Sequence, residues 1–91
     1  MIAVTRHPHL VSPVQIGSME LRNRIVMAPM GVEIVDDDGM ANEAITAYYE
    51  ERARGGVGRI VTEVCAVSYP RGANSVHQRG LSDDSFIAPL R

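Results

Sequence analysis

The rhythm of apolar and polar residues changes several times along the chain, and each change predicts an element. Val14 and Ile16 alternate with polar neighbours, and the alternation resumes at Met19 and Leu21 after Gly17-Ser18. Two alternating runs around a Gly-Ser pair predict a short β-hairpin. Ile25 to Met30 is apolar without alternation and β-branched in part, the pattern of a strand covered on both faces in a parallel sheet. Pro29 has no N–H to give a ladder, so the strand is expected to end there. Gly31 to Gly39 reads as a loop turning at Asp36-Asp37-Asp38-Gly39.

A helix is expected from Asn42, a good N-cap, with Glu43 in the first turn where the macrodipole favours an acid. Ala44, Ile45, Tyr48, Tyr49 and Ala53 recur at helical spacing as one face, with Glu50, Glu51, Arg52 and Arg54 mostly on the other. Basic residues followed by Gly55-Gly56 supply the stop. Val57 to Val64 is predicted as the second strand, Ser68 to Gly80 as a long polar loop, and Ser82-Asp83-Asp84 as the cap of a second helix. Strand, helix and strand in this order make a βαβ unit with parallel strands.

Two parallel strands and one full helix cannot cover a parallel sheet, which is buried on both faces. The expected fold class is therefore α/β: an N-terminal hairpin plus the first βαβ unit of a TIM (β/α)8 barrel, truncated. A full barrel takes about 250 residues, so the chain would supply roughly a third of one. Residues 1–9 read as a leader and 10–91 as the N-terminal fragment of the barrel domain.

Composition narrows the picture. The 91 residues are 45% hydrophobic and 22% charged, with net charge -2, which suits one folded unit and argues against disorder. No apolar run approaches the roughly 20 residues of a membrane span. All nine basic residues are arginine, scattered and outnumbered by eleven acids, so a nucleic-acid-binding face is not expected. Cys65 stands alone, which excludes an internal disulfide and suits a reducing compartment. Met1 to Leu10 lacks the apolar core of a signal peptide, and the expected location is cytoplasmic.

Leu21-Arg-Asn-Arg-Ile-Val-Met-Ala-Pro-Met30 resembles the first-strand signature of the Old Yellow Enzyme family of FMN-dependent oxidoreductases, which includes NADH:flavin oxidoreductases, ene-reductases and 2,4-dienoyl-CoA reductases. Tyr48 to Gly58 is similar to that family's first helix, Val61-Thr-Glu-Val-Cys-Ala-Val67 to its second strand, and Leu10 to Gly17 to its lead-in hairpin. The resemblance implies FMN at the C-terminal ends of the barrel strands, where barrel active sites lie. Its first-strand contacts would fall on Ala28, Pro29, Met30 and Gly31, largely through backbone groups, and the next on Val64. Relatives often have Ala or Gly at the Val64 position, and some place a potential-tuning Cys or Thr at the Gly31 position. The implied reaction passes hydride from NAD(P)H through FMN to an activated alkene such as an enone or enoyl thioester. Its partner would be a small-molecule substrate, with neither nucleic acid nor membrane, and a homo-oligomer is left open. The family's substrate-activating and proton-donating residues lie downstream of this stretch. No catalytic residue is therefore assigned, and the chain alone is expected to be inactive. Ala28-Pro-Met-Gly31 and Val61-Thr-Glu-Val64 also resemble the tRNA-dihydrouridine synthases, although Tyr48 to Gly58 and the loop after it follow the ene-reductase pattern better. A noncatalytic truncated remnant is the reading of another class.

Several residues have plainer readings. Glu63, inside an apolar strand, needs a partner, and an ion pair with a later barrel residue is favoured over catalysis. Cys65, just past the expected strand end, is favoured as a small buried thiol. The three aspartates lack the ligand spacing of a calcium loop and read as a solvated turn. Gly55-Gly56-Val57-Gly58 precedes a strand, the wrong context for a dinucleotide loop. Tyr48 and Tyr49 are expected to pack on the helix, His7 and His9 to be exposed in the leader and His77 to lie in the long loop, and the three make a poor metal set. For His77 and Arg79, contact with substrate or a neighbouring subunit is the minority reading.

Overall fold

The computed structural model describes residues 6–91; most of the expected leader, residues 1–5, lies outside the described residues. The chain runs through β1 (Val14–Ile16), β2 (Met19–Leu21), β3 (Val26–Met27), α1 (Glu43–Arg54), β4 (Arg59–Ile60), β5 (Cys65–Ala66) and β6 (Arg79–Gly80). A 3-10 turn (Asp84–Phe86) then leads into the single turn α2 (Ile87–Leu90).

β1 and β2 form the expected antiparallel hairpin, with Val14 opposite Leu21 and Ile16 opposite Met19. Gly17 takes φ 60°, which a two-residue turn of the II′ kind requires of its first residue. β3 and β4 pair in parallel, Val26 with Arg59 and Met27 with Ile60, with α1 as the crossover between them. The first βαβ unit therefore stands as the hydrophobic pattern predicts.

α1 begins at Asn42, whose Oδ1 accepts the Ile45 N–H at 3.0 Å. The resembling segment Leu21 to Arg24 closes its other end. Arg22 Nη2 donates to the carbonyls of Ala53 (2.7 Å) and Val57 (3.3 Å), and Asn23 Nδ2 donates to Gly56 O (2.6 Å). Orphan carbonyls at a helix C-terminus attract cations and amide donors, so this polar stretch is a plug for the helix end. Gly58 then passes so close to Asn23 that a Cβ would overlap the Asn23 backbone oxygen.

The helix face is narrower than its periodicity suggests. Ile45 is buried and Tyr48 and Tyr49 are half-buried, whereas Ala44 and Ala53 are exposed. Leu21, Val35, Ala66 and Phe86 are also buried. Phe86 packs edge-on against Tyr69 at 5.9 Å, and both crowd the backbone of Gly80.

The expected second strand, Val57 to Val64, is corrected. Only Arg59 and Ile60 pair with β3, and one further bond, Val61 N to Met27 O at 3.1 Å, ends the pairing. Pro29 has no N–H with which to extend it. Cys65 lies within β5 instead of past a strand end, and β5 pairs in parallel with β6. The predicted loop Ser68 to Gly80 is thus shorter than expected, because its last two residues, Arg79 and Gly80, are a strand. Gly80 N donates to Gly39 O at 2.8 Å, which ties the acidic turn to the β5–β6 sheet. Asp83 caps the 3-10 turn as predicted, accepting Ser85 N at 2.8 Å.

Candidate functional site

Ala28, Pro29, Met30 and Gly31 continue from the C-terminal end of β3 and are all exposed. Met30 is 51% exposed, and no atom lies within 4 Å of where a Cβ on Gly31 would stand. Val64, in the unpaired stretch between β4 and β5, is 48% exposed, and Val67 after β5 is 80% exposed. As an isolated residue Val64 reads as core; among the described residues it has no such cover. Apolar side chains therefore stand exposed here beside open backbone at Gly31.

One side chain brings the two strand ends together. Glu63 Oε2 accepts the Val32 N–H at 2.9 Å, one residue past Gly31 and one before Val64. The Glu63 side chain is fully buried, and Arg79 Nε stands 3.4 Å from its Oε1 with its own side chain 8% exposed. Those two atoms face each other as an ion pair without hydrogen-bond geometry. Arg79 Nη2 also donates to Glu63 O at 3.4 Å. The Glu63 N–H donates to the hydroxyl of Tyr49 at 2.7 Å, and the Arg79 guanidinium lies 5.8 Å from the Tyr49 ring centre. The partner expected for Glu63 is thus Arg79 of β6, and Arg79 is buried and engaged within the chain. A buried ionic group needs such a partner, because an uncompensated charge is costly in a low-dielectric interior.

The loop beyond Gly31 is held at several points. Glu33 adopts φ 58°, an unusual conformation for a side-chain-bearing residue. His77, in the loop before β6, places Nδ1 3.0 Å from Val35 O. The Tyr69 hydroxyl lies within hydrogen-bond distance of two carbonyls, Asp37 (2.9 Å) and Val76 (2.7 Å), which share its single proton. Desolvation, with Asp37 and Asp38 nearby, pushes the Tyr69 phenol above its ordinary value. Asp83 moves the other way, because the Ser85 hydroxyl and amide hydrogen-bond its carboxylate. Asp38 Oδ1 accepts Met40 N at 2.9 Å, a local turn bond. Cys65 is half-buried, with Sγ 3.8 Å from Glu63 O.

Sequence reasoning missed the Tyr49 hydroxyl, the Val32 amide and the plugging role of Arg22 and Asn23. An acid within an apolar strand was a signal that a partner existed. Nothing local pointed to Arg79, which sits beyond a long loop in a two-residue strand. An open cleft of about 490 Å³ lies elsewhere, along α1 between Asn42, Thr46, Glu50 and Pro89. Among the described residues no helix is long and apolar enough to cross a membrane.

A lead-in hairpin followed by a parallel βαβ unit is the arrangement with which a TIM barrel opens. Residues 9–91 match the model of the NADH:flavin oxidoreductase / NADH oxidase family, and the chain belongs to that family. It is 44% identical over 85 residues to an NADH oxidase of Thermoanaerobacter brockii, an alignment covering 93% of this chain and 13% of the relative. The structure of 2-naphthoyl-CoA reductase in complex with 2-naphthoyl-CoA superposes with a TM-score of 0.85 at 29% identity, covering 90% of this chain and 12% of that one. The old yellow enzyme from Trypanosoma cruzi superposes with a TM-score of 0.77 at 32% identity, covering 90% of this chain and 22% of that one. The chain thus spans less than a quarter of each of these relatives, as the hairpin and first βαβ unit of their TIM-barrel fold.

Proposed function

We propose that this chain supplies the first two strand-end contacts of an FMN-dependent oxidoreductase that uses NAD(P)H to reduce an activated alkene, such as an enone or enoyl thioester. The observation that carries the proposal is the open apolar surface at Met30, Gly31 and Val64, in a chain whose family match runs from residue 9 to residue 91. When bound, FMN would supply the two-electron relay between nicotinamide and substrate. The residues of this chain would bind and orient it. Gly31 leaves the backbone open to close approach by a flat ring, Ala28 and Pro29 carry the chain to that point, and Met30 and Val64 exclude water from its surface. The similarity to a reductase solved with a naphthoyl thioester supports an alkene conjugated to a carbonyl as substrate.

The test is anaerobic. The native gene product is loaded with FMN, reduced with NADH or NADPH, and then mixed with a cyclic enone or a cinnamoyl thioester. Bleaching of the flavin band by nicotinamide and its return with the alkene are expected. A bound flavin that nicotinamide reduces but no activated alkene reoxidises would refute the substrate class.

A further inference from the structure

Resting on the cofactor reading above, we propose that Glu63 is a positioning residue for the cofactor surface. Its buried carboxylate holds the Val32 amide and thereby sets Met30-Gly31 against Val64. Three observations converge on it. Glu63 Oε2 accepts Val32 N–H at 2.9 Å, which fixes the backbone one residue after Gly31. The backbone of Glu63 is itself anchored, since its N–H donates to Tyr49 Oη on α1 and its carbonyl accepts from Arg79 on β6. The next residue, Glu33, is held at φ 58°, so the loop takes an unfavourable turn immediately after the clamped amide. A loop left to itself would relax toward commoner backbone angles. A bond from a fully buried carboxylate, backed by the Arg79 guanidinium, holds it at Val32, while Asn42 and His77 engage the Ile34 and Val35 carbonyls beyond the turn. Glu63 and Val64 are consecutive, yet Glu63 is buried and Val64 half exposed. Glu63 thus reaches back under the loop while Val64 is presented outward, half exposed. The ion pair and the proposed cofactor surface thus rest on two neighbouring residues, one buried and one exposed.

The test separates the clamp from the charge. Removing Glu63 alone would strand a buried arginine and threaten folding. Two double variants of the native gene product are therefore compared, Glu63→Gln/Arg79→Met and Glu63→Met/Arg79→Met. Both delete the ion pair, but only the first keeps a side-chain oxygen for the Val32 amide. Hydrogen exchange at Val32 is read in the cofactor-free protein, and FMN affinity and the flavin absorption spectrum in the loaded one. The methionine pair is expected to exchange Val32 about tenfold faster than the glutamine variant, as for one lost hydrogen bond, and to bind FMN correspondingly more weakly with a shifted spectrum. Equal Val32 exchange in the two variants would overturn the clamp. Faster exchange with identical FMN affinity and spectrum would overturn the positioning role. If the unmodified protein binds no FMN, the cofactor reading falls and the positioning role with it, while the exchange data still report whether the clamp exists.

Discussion

Gly58 carries a prediction whose size follows from the close approach at the start of β4. An ideal Cβ there would overlap the Asn23 backbone oxygen, stand 2.6 Å from Asn23 Oδ1 and 3.1 Å from its carbonyl carbon. Relief requires moving backbone, because the first of these atoms is not the end of a flexible side chain. The same residues carry the Gly58 N to Ile25 O bond at 3.0 Å, which opens the β3–β4 pairing, and the Asn23 to Gly56 bond at 2.6 Å. Overpacking of this kind costs about 1–3 kcal/mol, and one lost hydrogen bond about 1 kcal/mol. Against this, Gly→Ala at an unstrained position stabilises by about 0.4–1 kcal/mol through the unfolded chain. Gly58→Ala should therefore destabilise by about 2–3 kcal/mol, roughly 30- to 150-fold in the unfolding equilibrium. Urea denaturation of the native gene product and the variant reads this as a lower midpoint at unchanged slope. Asn23→Ala should not rescue the variant, because the backbone oxygen of residue 23 remains in place. A Gly58→Ala protein as stable as the parent, or more stable, would show that the helix exit does not pack on the Arg22-Asn23 plug.

Three further outcomes follow from the same structure. Ile45→Ala removes the most fully buried side chain of α1 and should cost about 3 kcal/mol by thermal or urea unfolding; a loss under about 1 kcal/mol would mean the helix is not seated as described. Gly31→Val places a branched side chain in open space, so stability without cofactor should change by less than about 0.5 kcal/mol while FMN affinity falls at least about tenfold; unchanged affinity in a binding titration would remove Gly31 from the cofactor surface. The two perturbed groups act at opposite ends of the pH scale. The Asp83 carboxyl is lowered from 3.8, so its stabilisation is present above that value and lost as acid carries pH down through its folded value. The Tyr69 phenol is raised from 10.0, so its contribution is present below that value and lost as pH rises through its folded value. Asp83→Asn keeps a capping acceptor and should flatten the acid limb of a stability profile, and Tyr69→Phe the alkaline limb; limbs unchanged by these substitutions would contradict both assignments.

The parts legible in the sequence are those decided by near neighbours. Alternation around Gly17-Ser18 specifies the hairpin, and Asn42 followed by a periodic apolar stripe specifies α1. The parallel pairing of β3 with β4 follows from the helix between them. The course of residues 61–66 was not legible, because it depends on groups distant in sequence. Pro29 ends the ladder on one side, the Glu63 side chain replaces it with a bond to Val32, and β6 claims Cys65 and Ala66. The second strand is therefore two short pieces, although its composition reads as one. Two residues of β-structure at Arg79–Gly80, beyond a polar loop, leave no periodic trace, and the buried role of Arg79 was hidden with them. At the candidate site, the positions carried by resemblance are all exposed, Ala28 to Gly31 just past β3 and Val64 just before β5. The residue that ties those ends together was legible only as an acid in need of a partner. The Arg22-Asn23 plug had been recognisable as a signature without a physical reason, which the carbonyls of Ala53, Gly56 and Val57 supply.

The central claim is that the cofactor surface of this chain lies on Ala28 to Gly31 and on Val64. A crystal structure of the FMN-loaded native gene product tests it most directly. The flavin ring is expected within van der Waals contact, about 4 Å, of Met30, Gly31 and Val64, with Glu63 still bonded to the Val32 amide behind them. A flavin bound away from these strand ends, or an ordered protein that takes up none, would contradict it.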